Sequence, residues 1–178
     1  TADAGNTSAT NARVVREADK HYIFAVKPNH RRLYNAARAL LDNAPVLAET
    51  EEQSRGYNEH RQLQRCLVSP QSIRYPDALQ VWKVTRTRTP TSGEVLVGQR
   101  IYITSVPEDE LAPLLKAGAT QCGSCTPGVV MTAWWVLRNR EVVDSHTLRE
   151  LMAGNLCRCT GYDGIIEGLE SWLESDAS

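Results

Sequence analysis

Cys122-Gly-Ser-Cys125 and, 31 residues further on, Cys157-Arg-Cys159 hold four of the chain's five cysteines in two close pairs. Close pairs at the ends of predicted helices suit a metal centre better than cross-links between distant elements. Thiolates are soft ligands that select zinc, copper(I) or iron-sulfur clusters, and the count of four serves zinc and iron alike. Structural zinc sites usually separate both of their cysteine pairs by two to four residues, whereas the second pair here encloses only Arg158. The spacing therefore favours iron, with a zinc-stabilised interaction module as the disfavoured reading.

Working outward from the cysteines, the signals are helical. Pro113 opens a short predicted helix carrying Leu114 and Leu115 that stops at Gly118. A second has Thr126 as N-cap and Pro127 in its first turn, and runs to about Arg138 with Val129, Val130, Ala133, Val136 and Leu137 on one stripe. A third starts at Asp144 as N-cap, turns Leu148, Leu151 and Met152 inward, and ends at Gly154-Asn155. A fourth starts at about Gly161 with Ile165, Ile166, Leu169, Trp172 and Leu173 at helical spacing. The two cysteine pairs thus bracket an antiparallel helix pair whose ends can meet. The helices that follow Cys125 and Gly161 would turn their positive ends and free N–H groups toward the sulfurs, which suits a net-negative cluster. Gly123, Gly128, Gly154 and Gly161 either let backbone approach the sulfurs or simply form turns.

The pattern changes before residue 105. Tyr22 to Val26 reads as a strand, and Leu33, Ala36, Ala37, Leu40 and Leu41 recur at helical spacing. Glu49 to Arg65 is polar and charged without a clear period, so a loop or an exposed helix is expected there. Gln80 to Thr87 and Glu94 to Ile103 are rich in β-branched and aromatic residues and flank the turn formers Thr89-Pro90-Thr91-Ser92-Gly93, which predicts a hairpin. Lys83, Arg86 and Arg88 read as its solvated face. Cys66 is expected to be a small buried hydrophobe without a role.

The bulk properties exclude several classes. Twenty basic and 21 acidic residues among 178 leave a formal charge of −1, so there is no excess of one sign to draw nucleic acid or an anionic membrane. No apolar run approaches the roughly 18 to 20 residues that span a bilayer, and the opening TADAGNTSAT is a polar tail without a signal-peptide pattern. A cytoplasmic protein with reduced thiols is expected. No HExxH, nucleophile elbow, Walker loop or G-x-G-x-x-G occurs, and His21, His30, His60 and His146 lack ligand spacing, so no substrate site is expected within the chain.

Gln121-Cys-Gly-Ser-Cys-Thr-Pro-Gly-Val-Val-Met131, followed by Gly154-Asn-Leu-Cys-Arg-Cys-Thr-Gly-Tyr162, closely resembles the C-terminal helical [2Fe-2S] domain of the xanthine oxidase and aldehyde oxidoreductase family of molybdenum hydroxylases. The resemblance covers residues 107 to 174. It implies an α+β chain with a four-helix domain at residues 107–178, one [2Fe-2S] cluster on Cys122, Cys125, Cys157 and Cys159, and a pterin contact from Gln121 and Cys159. It further implies a large molybdopterin-binding catalytic partner whose electrons the cluster relays. Residues 1–15 are expected as a flexible tail and 16–106 as a mixed α/β domain without cluster ligands. That domain is either a degenerate ferredoxin-like (β-grasp) domain that lost its cluster, or an unrelated domain that caps or docks. With Cys66 the only thiol before residue 122, it cannot hold an all-cysteine cluster of its own. The expected exit for electrons is then a further subunit or carrier bearing flavin, ferredoxin or haem, or a rearranged complex in which the single cluster meets its acceptor directly. The rival from another class is a free-standing [2Fe-2S] redox sensor or partner-binding protein. In the family a smaller residue tends to stand at the second position of the Trp134-Trp135 pair, of which one member is expected in the core and the other at a partner surface.

Overall fold

Tyr57 to Leu67 alternates in burial along the chain, and its buried positions include Glu59 and Arg61 as well as Leu63. This is a strand whose inward face is partly ionic. In the computed structural model, which describes residues 7–54, 56–107, 125–139, 144–156 and 162–176, it is β3 of a five-stranded sheet. The strands are β1 (Ile23–Val26), β2 (Val46–Ser54), β3 (Tyr57–Leu67), β4 (Gln80–Pro90) and β5 (Leu96–Thr104). Their order is β1-β5-β4-β3-β2, and every neighbouring pair is antiparallel. The chain divides into two compact units, Thr1–Glu108 and Asp109–Ser178.

In the first unit, β2 and β3 join through a turn at Gly56, whose φ of +86° is open to glycine without strain. The expectation of a loop or exposed helix over Glu49 to Arg65 is therefore corrected to two strands. The reason is physical: charged side chains occupy inward positions, so hydrophobicity does not show the period of two. Glu59 Oε1 accepts from Arg61, and Oε2 accepts from Arg86 at 2.5 Å and from Arg88 Nη2 at 3.0 Å across the β3–β4 pairing. The guanidinium of Arg88 also lies over the Tyr57 ring, 4.0 Å from its centroid. Lys83 is 7% exposed, donates to the Leu41 carbonyl at 3.3 Å and lies 3.6 Å from Asp42. The solvated face expected of Lys83, Arg86 and Arg88 is thus corrected to two ionic networks, with Lys83 buried and Arg86 and Arg88 half-buried around the buried Glu59.

Three helices accompany this sheet: α1 (Ala9–Glu17), α2 (Arg31–Leu41) and the short α3 (Pro70–Ile73). Ser8 caps α1, so the frayed tail expected over residues 1–15 gives way to a helix from Ala9, and the Thr7 hydroxyl donates to the Ala25 carbonyl at 2.6 Å. The core gathers Ala12, Phe24, Val26, Ala37, Leu41, Val81, Ile101 and Ile103, with Cys66 packed at its margin. Each large aliphatic side chain fully buried there stabilises the unit by about 1.5 to 3 kcal/mol. Tyr22 stacks on Phe24 at 4.8 Å and donates to the Pro76 carbonyl, and burial pushes its phenol far above the ordinary range. A β-grasp sheet sets its first strand parallel to a later neighbour. Here β1 meets β5 antiparallel, so the ferredoxin-like expectation is replaced by an antiparallel α+β fold.

The second unit contains α4 (Thr126–Asn139), α5 (Ser145–Met152) and α6 (Asp163–Asp176), each touching the other two. Val129, Val130, Ala133 and Val136 of α4 are buried, as are Leu148 and Met152 of α5 and Ile165, Ile166 and Leu169 of α6. The helix expected over Pro113 to Gly118 lies outside the described residues. No helix among the described residues is long and apolar enough to cross a membrane.

Candidate metal centre

The first turn of α4 hangs on Cys125. The Val129 N–H donates to the Cys125 carbonyl at 3.0 Å, so Cys125, one residue earlier than expected, is the residue on which the helix opens. Its side chain is half-buried. A thiolate at that point lies at the positive end of a 14-residue helix, where negative charge is stabilised. The start of α6 repeats the arrangement close to the other pair: Ile165 and Ile166 donate to the Tyr162 carbonyl at 3.0 and 2.9 Å, three residues past Cys159. Tyr162 itself has φ +74°, a left-handed conformation that few aromatic residues adopt.

α5 brings the chain toward Cys157. Asp144 accepts from Thr147 N–H at 2.8 Å as the expected N-cap, and that bond, the largest of several effects, holds its carboxyl below the usual range. At the other end, Asn155 N–H donates to the Met152 carbonyl at 2.8 Å. The Asn155 side chain reaches α4, donating from Nδ2 to Thr132 Oγ1 at 2.7 Å. Gly128 is open to Asn155 and not, in the described residues, to a sulfur. Leu156, next to Cys157, is 87% exposed. Asn155 reads in the sequence only as a helix stop signal, and Thr132, within α4, carries no signal of this contact.

Of the expected ligands, Cys125 is described; Cys122, Cys157 and Cys159 lie outside the described residues, as does Gln121. Among the described residues no group of three or more metal-ligating side chains occurs. The donor set fits an iron-sulfur cluster as far as it is described: a soft thiol at a helix start, a second helix start beyond the other pair, and a side-chain tie between the two segments. Trp135 is 50% exposed, and Trp134, expected in the core if its neighbour was not, is half-buried beneath Arg138, whose guanidinium lies 5.0 Å from the ring centroid.

Residues 110–170 match the family model of the [2Fe-2S] binding domain. Over 62 residues the chain is 45% identical to aldehyde oxidase 3 of Mus musculus, covering 35% of this chain and 5% of that protein. It is 49% identical over 61 residues to xanthine dehydrogenase of Drosophila subobscura, covering 34% of this chain and 4% of that protein. It is 50% identical over 65 residues to aldehyde oxidase 2 of Macaca fascicularis, covering 36% and 5%. The matched stretch is thus a small fraction of these relatives' length.

Proposed function

We propose that the chain, whose residues 110–170 match the [2Fe-2S] binding domain and are similar to stretches of aldehyde oxidase and xanthine dehydrogenase, is the electron-transfer subunit of a molybdopterin-dependent hydroxylase or dehydrogenase of the xanthine oxidase family. The observation that carries the reading is the hydrogen bond from Asn155, two residues before Cys157, to Thr132 in the second turn of α4, the helix that opens on Cys125. It supports a shared cluster by tying the residue two positions before Cys157 to the helix that follows Cys125.

In this reading Cys122, Cys125, Cys157 and Cys159 hold one [2Fe-2S] cluster, which when bound accepts and passes on single electrons. The chain's own residues do the rest. The openings of α4 and α6 offer positive dipole ends to the sulfurs, and N–H donors there raise the potential at which an electron is accepted. Gln121 and Cys159 reach the pterin of a large catalytic partner, and Gln121 makes that contact without ligating iron. Residues 107–178 form the cluster domain, completed by a fourth helix, and 16–106 a separate domain without ligands. Because that domain has one cysteine, the onward acceptor is a further subunit or carrier with flavin, ferredoxin or haem.

Metal analysis of the native protein with its co-purifying partners tests this. About two iron and two sulfide per chain, with molybdenum in a co-eluting large subunit, is the expected result. Two iron with neither molybdenum nor partner would replace it with a free-standing redox protein, and zinc in place of iron would remove the cluster.

A further inference from the structure

The place where a side chain at position 128 would stand is already taken. A Cβ on Gly128 would overlap Oδ1 of Asn155 and lie 3.2 Å from its Cγ and 3.8 Å from its Cβ. The other end of the same carboxamide is engaged as well, since Nδ2 donates to Thr132 Oγ1 at 2.7 Å and lies 3.7 Å from Met152 Sδ. Asn155 therefore lies across two successive turns of α4, with its oxygen over a glycine and its nitrogen on a hydroxyl. Asparagine suits both halves of that contact. Alanine at 155 would reach neither, and aspartate would lose the donor.

The contact is placed for a purpose. Gly128 and Thr132 stand at i and i+4 on one face of α4, and Gly128 is three residues past Cys125, on which the helix opens. On the other side, Cys157 stands only two positions, roughly 7 Å of chain at most, beyond Asn155. We propose that Asn155 is a positioning residue for the metal centre: seated on Gly128 and Thr132, it fixes how far the Cys157-Arg-Cys159 segment stands from Cys125. Gly128 is required to leave the seat open. The proposal rests on the ligand assignment above and adds to it a part for two residues that touch no metal.

The test uses the full chain with its cluster and four variants: Gly128→Ala, Asn155→Ala, their combination, and Thr132→Val, which keeps the size of the side chain and removes only the hydroxyl. Readouts are iron and sulfide per chain, the rate of iron transfer to a ferrous chelator, the reduction potential, and the spectrum of the reduced cluster by electron paramagnetic resonance. Far-ultraviolet circular dichroism monitors the helices. Gly128→Ala and Asn155→Ala are each expected to release iron about tenfold faster, in keeping with the loss of one net hydrogen bond, and to alter the reduced spectrum. The combination should be no worse than the more severe single change, because both break one contact. Thr132→Val should release iron about threefold faster with unchanged helix content, and it carries the test if a change at 128 or 155 unfolds the helices. Wild-type release, potential and spectrum in the variants would overturn the positioning role while leaving the ligands in place. Effects that multiply in the combination would overturn it too. A wild-type chain without iron would overturn the ligand assignment and the positioning role together.

Discussion

Arg149 Nη2 lies 3.0 Å from Asp163 Oδ1, joining the last turns of α5 to the first residue of α6 across the segment that holds Cys157 and Cys159. Both side chains are largely exposed, so the pair is screened and its net contribution is small. Arg149→Ala should lower stability by less than about 1 kcal/mol in thermal melts and leave iron content unchanged. A loss well above that would show that the bridge, and not the cysteines, holds the two helices in place.

Cys157→Ser should behave differently. If four thiolates share one cluster, removing one lowers iron content well below that of the wild type and destabilises residues 107–178, since metal binding and folding are coupled. Iron and sulfide counts with melting of the variant decide it, and full iron retention would take Cys157 out of the ligand set.

Gln121→Ala separates the pterin contact from cluster binding. The variant should keep its iron and slow electron transfer, or loosen assembly with the catalytic partner, measured by cluster reduction in the assembled complex. Wild-type turnover would end that role for Gln121.

Glu59 makes the stability of the first unit pH-dependent. Burial pushes its carboxyl up, but hydrogen bonds from Arg86, Arg61 and Arg88 outweigh burial and hold it at about 2, against an ordinary 4.5. A depressed value means that the stabilisation is fully present above pH 4.5 and is lost as the pH falls from there toward 2. The amount is on the order of 3 kcal/mol. Urea unfolding at several pH values in that window should show the slope in the wild type and a flatter one in Glu59→Gln. The variant should also be destabilised at neutral pH, because three guanidinium groups lose their carboxylate.

The sequence made some of this legible and hid the rest for physical reasons. β4 and β5 announced themselves through β-branched residues and a turn rich in Pro, Ser and Gly, and α2 through the spacing of Leu33, Ala37 and Leu41. Asp144 was readable as an N-cap because a short carboxylate ahead of an apolar stripe has few other uses. β3 was not readable, since Glu59 and Arg61 occupy positions where a strand signal expects apolar residues, and only the pairing with β4 shows that Arg86 and Arg88 reach Glu59. At the candidate site the cysteine spacing pointed to the chemistry. The seat of Asn155 on Gly128 depends on two segments 27 positions apart in the sequence, and no local pattern encodes it.

The strand β1 pairs Ile23 with Thr104 and Val26 with Ile101, while every other strand pairs with a neighbour in the chain order. β2 to β5 can therefore zip one after another, each pairing close in sequence to the last. β1 has to wait for the strand most distant from it, so closing this edge carries the largest loop-closure cost and belongs to the late, slow part of folding. During synthesis the apolar Ile23-Phe24-Ala25-Val26 emerges well before its partner and stays an open edge until residue 104 has been made.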